Sequence, residues 1–172
     1  MDYPFMRIPL DALQDGPWSW QGEFSADPAV WSAPGLDLAG NPRLTIRAEE
    51  SADGSVHVTG ELEVPFRLSC VRCLRELTAP TRLPIDAWFR SDADLSSEDG
   101  VYPLDERGAE LSVREPIREE LVLGRPQYPL CEADCQGLCS ACGANRNEEQ
   151  CECSLAETDP RWGPLQNWLE DG

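Results

Sequence analysis

A run of alternating side chains from Val56 to Cys70 constrains what this chain can fold into more than any other segment. Over these fifteen residues the even positions are apolar or small, and the odd positions apart from Pro65 are polar. Successive side chains of a β-strand point to opposite faces of a sheet, so a period of two predicts strand with one buried face. Gly60 and Pro65 are expected to bend or break the run, because neither residue suits the middle of a strand.

Shorter patterns on either side predict further strands. Apolar and polar residues alternate in residues 44–48 and again in residues 83–89, and Asp53-Gly54 is a typical turn before the long run. Residues 91–110 are acidic and polar, which predicts an exposed loop with a short strand at residues 101–104. Together these segments indicate an antiparallel sheet or an open barrel.

One helix is predicted after that loop. A capping-box pattern begins at Ser112, and apolar residues recur at every fourth position up to Leu121. Gly124 and Pro126 are expected to end the helix. Pro116 lacks a backbone N–H and is expected to move the helix start a turn later.

Composition divides the chain into three expected parts. Residues 1–42 are rich in Pro, Gly and Trp and are expected to pack on the body, with one short element. Residues 43–126 form a β-rich module with its following helix, and residues 127–172 form a cysteine-rich metal-binding segment. Within that last part, Asp159-Pro160 suits the start of a short terminal helix. The predicted fold class is α+β and β-rich: an antiparallel sheet or open barrel, one or two short helices and a zinc-knuckle segment.

The charge is large and unevenly distributed. The net charge is −18, from 32 acidic residues and 14 basic ones, and every basic residue is Arg. Residues 1–42 carry −5, residues 43–90 carry zero and residues 91–172 carry −13. Phosphate binding needs clustered positive charge, so unspecific binding of nucleic acid is disfavoured. Acidic residues can also simply solubilise a surface, and that interpretation applies to many of them.

Eight cysteines predict metal binding more than disulfides. A chain of this kind with no evident secretory signal favours thiolate ligands. Close pairs suit a tetrahedral metal, because two thiolates on one tight turn can both point at a single ion. Gly143 directly follows one pair, where glycine relieves crowding between backbone amides and ligating sulfurs. The cysteines are Cys70 and Cys73, then, after a gap of 57 residues, Cys131, Cys135, Cys139, Cys142, Cys151 and Cys153.

The spacing favours two sites with four thiolates each. One set is expected to be Cys139, Cys142, Cys151 and Cys153, and the other Cys70, Cys73, Cys131 and Cys135, although partners exchanged between the sets stay open. Structural zinc, two ions in all, is the preferred cofactor, and an iron–sulfur cluster is the less favoured one. A thioredoxin-like redox pair is disfavoured, because that chemistry wants CxxC at a helix N-terminus and the residues after Cys73 resemble a strand.

Other features give no support for an enzyme. His57 is the sole histidine and lies on the polar face of its predicted strand, which leaves little room for Ser-His-Asp or Cys-His catalysis. No phosphate-binding glycine loop is evident, and a four-cysteine zinc site has no open position for a substrate. The apolar runs are a few residues long, so no membrane span is expected. A nuclease would need carboxylates clustered in space, which sequence cannot show.

Several motifs, in order, resemble the YceD family, described as the large ribosomal RNA subunit accumulation protein. They are CVRCL at residues 70–74, REELVLGRPQYPLC at 118–131, CQGLCSACGANRN at 135–147, CEC at 151–153 and DPRW at 159–162. The match covers roughly residues 40–170. The resemblance implies a cytoplasmic factor needed for the accumulation of large-subunit ribosomal RNA. It also implies that the motif positions of the family include the eight cysteines, Arg72 and residues 159–162. No role is assigned to Arg72 or to residues 159–162.

The leading functional prediction is therefore a non-enzymatic ribosome biogenesis factor. Its acidic half should attract a basic ribosomal protein or the pre-ribosomal large subunit, and only the neutral β module could contact RNA. No membrane and no small-molecule substrate are expected. The alternative is a thiol-based redox or zinc sensor. Partner contacts are expected from Arg67, Arg72, Arg75, Arg161 and Trp162.

Overall fold

The computed structural model describes residues 6–27, 35–91, 100–104 and 109–153. The chain divides into two compact units, a larger one of Met1–Leu68 and Glu76–Pro129 and a smaller one of Ser69–Arg75 and Leu130–Gly172. The terminal helix expected from Asp159-Pro160, together with the predicted contact residues Arg161 and Trp162, lies outside the described residues.

The larger unit contains the described strands and helices. In chain order they are β1 (Arg7–Pro9), α1 (Leu10–Gln14), β2 (Trp18–Glu23), β3 (Arg43–Glu50), β4 (Val56–Ser69), β5 (Glu76–Arg90), β6 (Val101–Pro103), β7 (Glu110–Ser112) and α2 (Arg114–Leu123). The β-rich fold class with short helices is confirmed. Neither helix is long or apolar enough to cross a membrane, within the part of the chain that the structure describes.

The main sheet has five strands in the order β2-β3-β4-β5-β6. Strands β2, β3 and β4 are antiparallel, with Ile46 of β3 opposite both Trp20 and Gly60. Strand β5 runs opposite to β4, because His57 contacts Asp86 whereas Glu63, further along β4, contacts Arg82. The short strand β6 pairs with β5 in parallel, so the predicted antiparallel sheet is mixed at that edge.

The long alternating run forms one continuous strand, β4. Its even side chains from Val56 to Leu68 are buried apart from Gly60, which is partly exposed, so the predicted buried face is confirmed. The predicted break at Gly60 and Pro65 is wrong. Gly60 remains paired with β3, whereas Pro65 lies beyond the last residue of that pairing and its carbonyl accepts a hydrogen bond from Ala39 N–H (2.7 Å). A proline is tolerated where no neighbouring strand needs its missing N–H.

Residues before the main sheet form more structure than the single short element predicted there. They contain β1, α1 and β2, and β2 joins the sheet through its pairing with β3. Trp18 and Trp20 of β2 are half-buried and pack against the core. Strand β1 pairs with β7, which begins at the last residue of the segment predicted as loop. The short strand predicted near residue 101 is confirmed as β6.

Helix α2 follows the predicted apolar spacing but not the predicted cap. Val113, Ile117 and Leu121 are all fully buried, and the helix ends at Leu123 as expected. The side chain of Ser112 does not cap the helix, and the helix begins at Arg114 rather than a turn later. Pro116 is accommodated because the first-turn N–H groups of a helix have no intrahelical partner.

Tyr102 connects β6 to α2 through a hydrogen bond that its hydroxyl donates to the Glu119 carboxylate. The tyrosine is 8% exposed, and its burial, together with Glu119, raises the pKa of Tyr102 so that the phenol remains a donor at neutral pH. We expect Tyr102→Phe to lower the free energy of unfolding by about 1–2 kcal/mol, since a charged acceptor loses its donor. Urea denaturation measures this loss. The matched control Tyr128→Phe, at a residue 81% exposed, should change stability by no more than about 0.5 kcal/mol.

Candidate metal centres

The smaller unit brings the eight thiols together as two groups of four. Within each group the sulfur atoms lie within 4.8 Å of one another. The grouping is the one favoured by the spacing, and both groups could hold a metal ion. The first cluster is Cys70, Cys73, Cys131 and Cys135, and the second cluster is Cys139, Cys142, Cys151 and Cys153.

The first cluster has the dimensions of a tetrahedral site for a single ion. The Sγ atoms of Cys70 and Cys135 are 3.8 Å apart, and those of Cys73 and Cys131 are 3.5 Å apart. Four thiolates around one zinc ion at a Zn–S distance of about 2.3 Å stand about 3.8 Å from each other. Three of the four cysteines are buried, so this donor set is also shielded from solvent.

Backbone amides around the first cluster favour the thiolate form. The N–H of Arg72 donates to the Cys70 sulfur (3.4 Å), and the N–H of Cys73 lowers the pKa of the Cys70 thiol to about 6. A thiol that ionises below neutral pH is ready to bind a cation, because metal binding requires the deprotonated sulfur.

The second cluster shares this property but is more open. The N–H of Cys142 lowers the pKa of the Cys139 thiol to about 6, the same relation that Cys73 has to Cys70. Cys139 is buried, whereas Cys142 and Cys153 are exposed. The two centres therefore combine similar electrostatics with different solvent access.

Two arginines that are predicted to contact a partner also form hydrogen bonds beside the first cluster. Arg72 donates from its guanidinium to the carbonyl oxygen of Cys135 (2.9 Å), and Arg75 donates to the Glu132 carboxylate (3.0 Å). The thiol of Cys131 and then Glu132 raise the pKa of Arg75. Both side chains therefore support the segment that carries Cys131 and Cys135, and their role in binding a partner stays a prediction.

Asn147 contributes to the same centre and was not singled out from the sequence. Its side-chain amide donates to the Cys135 sulfur (3.4 Å), and its carbonyl oxygen accepts from the N–H of Gln136 (2.7 Å). Its position in the GANRN motif could have identified Asn147 as a candidate site residue from the sequence.

Arg67 and His57 both lie on β4, in the larger unit. Arg67 forms an ion pair with Asp37 (3.3 Å). His57 stacks on Trp88 with ring centroids 4.1 Å apart, and its Nε2 is 2.8 Å from an Asp86 oxygen. These contacts place His57 on the polar side of the sheet, as the alternation predicts.

The arrangement of the thiols differs from that of a redox pair. Cys70 and Cys73 lie in the turn that joins β4 to β5, and Cys139 and Cys142 lie in a second turn, so neither pair begins a helix in the described ranges. Within residues 6–27, 35–91, 100–104 and 109–153, the places where three or more potential metal-ligating side chains converge are the two cysteine clusters.

The contact from Arg72 to Cys135 predicts a selective effect on the first cluster. We expect Arg72→Ala to weaken metal binding at this cluster by about tenfold, since outer contacts that orient ligand residues typically contribute this much. Competition against a chromophoric chelator measures both affinities. Arg82→Ala, on an exposed arginine of β5, is the matched control and should leave both unchanged. Equal weakening at both clusters would contradict the prediction.

Comparison with known sequences identifies the family. The profile of the family described as "Large ribosomal RNA subunit accumulation protein YceD" matches residues 58–169, a range that includes all eight cysteines. No solved structure matches.

Relatives match over different extents. An uncharacterized protein of Mycobacterium tuberculosis is 30% identical over 130 residues, which cover 73% of this chain and 61% of that protein. An uncharacterized protein of Mycobacterium leprae is 27% identical over 143 residues, 81% of this chain and 61% of the relative. The chain thus spans about 61% of these mycobacterial relatives. The chloroplastic YCED homolog 1 of Arabidopsis thaliana, named a large ribosomal RNA subunit accumulation protein, is 36% identical over 61 residues, 36% of this chain and 19% of the homolog. The chain belongs to the YceD family of large ribosomal RNA subunit accumulation proteins.

Proposed function

We propose that this chain is a non-enzymatic assembly factor that binds a basic protein of the large ribosomal subunit, with one zinc ion in each cysteine cluster. The single observation that carries the proposal is the pair of four-thiolate clusters in a chain that belongs to the YceD family. Four cysteines around one ion leave no open coordination position, so the ion's role is structural.

Zinc is preferred over an iron–sulfur cluster because of the distances between sulfurs. An iron–sulfur cluster places several iron and sulfide atoms between the cysteines, whereas the thiols here lie within 4.8 Å of each other. That spacing suits a single ion.

Charge favours a protein partner over naked RNA. The net charge of −18 repels phosphate. The neutral sheet offers arginines, but several already face carboxylates: Arg43 pairs with Glu23 (3.0 Å) and Arg82 with Glu63 (3.1 Å). An acidic surface instead steers basic proteins toward it.

The test uses the full zinc-loaded chain and single, purified large-subunit ribosomal proteins at about 0.15 M ionic strength. We expect one or more basic members of the panel to bind, with an affinity that falls as salt rises, and naked large-subunit ribosomal RNA to bind at least tenfold more weakly. Tight binding of naked RNA with no binding of any basic protein would overturn the proposed partner.

A pair of charge variants locates the contribution of the acidic half. Glu148→Gln with Glu149→Gln removes two charges from the smaller unit, and Glu49→Gln with Glu50→Gln removes two from the neutral module. The first variant should weaken binding more and reduce its salt dependence, since its carboxylates belong to the acidic half. Equal effects would show that overall charge, rather than this half, attracts the partner.

A further inference from the structure

The two CxxC turns have the same backbone hydrogen bonds. In the first turn, Cys70 N–H donates to the carbonyl of Arg75 (2.9 Å), and Leu74 N–H donates to the carbonyl of Cys70 (3.0 Å). In the second turn, Cys139 N–H donates to the carbonyl of Ala144 (2.8 Å), and Gly143 N–H donates to that of Cys139 (2.9 Å). Leu74 and Gly143 therefore occupy equivalent positions, one residue after the second cysteine of each pair.

This position requires a left-handed backbone, which is unfavourable for leucine. Gly143 has a φ of +77° and Leu74 a φ of +62°, and Leu74 is the non-glycine residue with positive φ in the described part of the chain. Glycine adopts this region readily, whereas an L side chain crowds its own backbone there. The second turn shows that the same hydrogen bonds form with glycine in place, so the turn itself does not need the leucine.

Packing does not explain the leucine either. Its side chain is 64% exposed, so burial offers little to offset the strained backbone. Val71 on the same turn is 49% exposed, and Leu138 is 38% exposed. Leu138 is held against this turn by a hydrogen bond from its N–H to the carbonyl of Arg72 (3.0 Å). We name these three residues, Val71, Leu74 and Leu138, the knuckle patch.

The charged residues of the smaller unit indicate which kind of partner could bind the knuckle patch. The described residues of the smaller unit contain five acidic residues, Glu132, Asp134, Glu148, Glu149 and Glu152, and three arginines, Arg72, Arg75 and Arg146. Arg72 and Arg75 are directed to the Cys135 carbonyl and the Glu132 carboxylate. An apolar patch on a unit whose described residues carry more carboxylates than arginines complements a basic polypeptide that presents apolar side chains.

We infer that the knuckle patch is the docking surface for the basic protein partner, and that Leu74 is its central anchor. A strained and exposed backbone position is retained because the side chain it carries binds a partner, as strain tends to concentrate at functional sites. The inference rests on the proposed function and adds the location of the contact.

The experiment compares three variants with the wild-type full chain, and its probe is the large-subunit protein that binds in the panel described above. Leu74→Gly gives the first turn the residue found in the second turn, so folding should be preserved. Val71→Ser removes a second apolar side chain of the patch without touching the left-handed position. Leu123→Ser, at a residue 74% exposed on α2 of the larger unit, is the matched control.

We expect Leu74→Gly to weaken binding at least tenfold while two zinc ions remain bound and the melting temperature stays equal or rises. Val71→Ser should weaken binding at least threefold, and Leu123→Ser less than twofold. Wild-type affinity in both patch variants would overturn the docking surface and leave the proposed function standing. Loss of zinc from Leu74→Gly would overturn the premise that glycine suffices in this turn. If the wild-type chain bound no member of the panel, the proposed partner and the docking surface would both be wrong.

Discussion

Chelation of the proposed zinc ions is expected to unfold the smaller unit and to leave the β-sheet folded. The buried side chains in the described residues of the smaller unit are four cysteine thiols, those of Cys70, Cys73, Cys135 and Cys139. Among the residues that the structure describes, the apolar core lies entirely in the larger unit. Because the described residues of this unit bury thiols rather than aliphatic or aromatic side chains, we expect its fold to depend on the metal, and structural zinc typically contributes about 10–16 kcal/mol to small units of this kind.

Hydrogen exchange followed by mass spectrometry measures this effect for each unit. After chelation, amides in residues 130–153 should exchange near the rate of an unfolded chain, whereas those of β3 and β4 should keep their protection. Cys70→Ser should reduce the metal content from about two ions per chain to about one and deprotect the segment that carries Cys131 and Cys135, whereas the second cluster should keep its ion. Cys153→Ser is the matched variant at the exposed cluster and should spare the first cluster. Full protection after complete metal loss would contradict the prediction.

Replacing Gly60 by alanine is expected to have the largest effect on the sheet of any single methyl group. A Cβ atom at Gly60 would lie 2.2 Å from the carbonyl oxygen of Thr45 and 3.0 Å from the Cα of Ile46. Both contacts are with backbone atoms of the paired strand β3, so relief requires the strands to separate at the centre of the sheet. We expect Gly60→Ala to lower the free energy of unfolding by about 3 kcal/mol or more.

Urea unfolding of the larger unit, monitored by tryptophan fluorescence, measures this loss. Gly40→Ala is the matched control, because its Cβ would meet Pro65 Cγ at an ordinary 3.7 Å. The control should change stability by no more than about 0.5 kcal/mol. Equal stability of the two alanine variants would show that the strands accommodate the methyl group without separating.

Patterns that repeat along the chain predicted much of the fold. The alternation before Cys70 predicted the buried face of β4, and the four-residue spacing predicted the buried face of α2, because both periods follow directly from backbone geometry. The predicted breaks at Gly60 and Pro65 failed, since whether such residues interrupt a strand depends on which neighbour pairs with them. The parallel edge formed by β6 also depends on a contact between distant segments.

In the candidate site too, local sequence patterns predicted some features, whereas features set by distant contacts were missed. Close spacing predicted which cysteines form a pair at one centre, because residues two to four apart on a turn meet regardless of the remaining fold, whereas the combination of pairs had stayed open. The contact of Arg72 with the Cys135 carbonyl joins residues 63 positions apart, and no local pattern encodes it. The left-handed conformation of Leu74 was equally inaccessible, because leucine is a residue for which that region is not expected.

The division of the first cluster between two distant segments also sets an order of events during synthesis. Cys70 and Cys73 leave the ribosome before Cys131, with 57 residues between the two pairs. At a translation rate of about 5–20 residues per second, the first thiol pair waits roughly 3–12 s for its partners. The second cluster spans 15 residues and is completed within about 1–3 s of its first cysteine. A nascent chain therefore carries two thiols of its first cluster through a period in which the other two have not yet been synthesised.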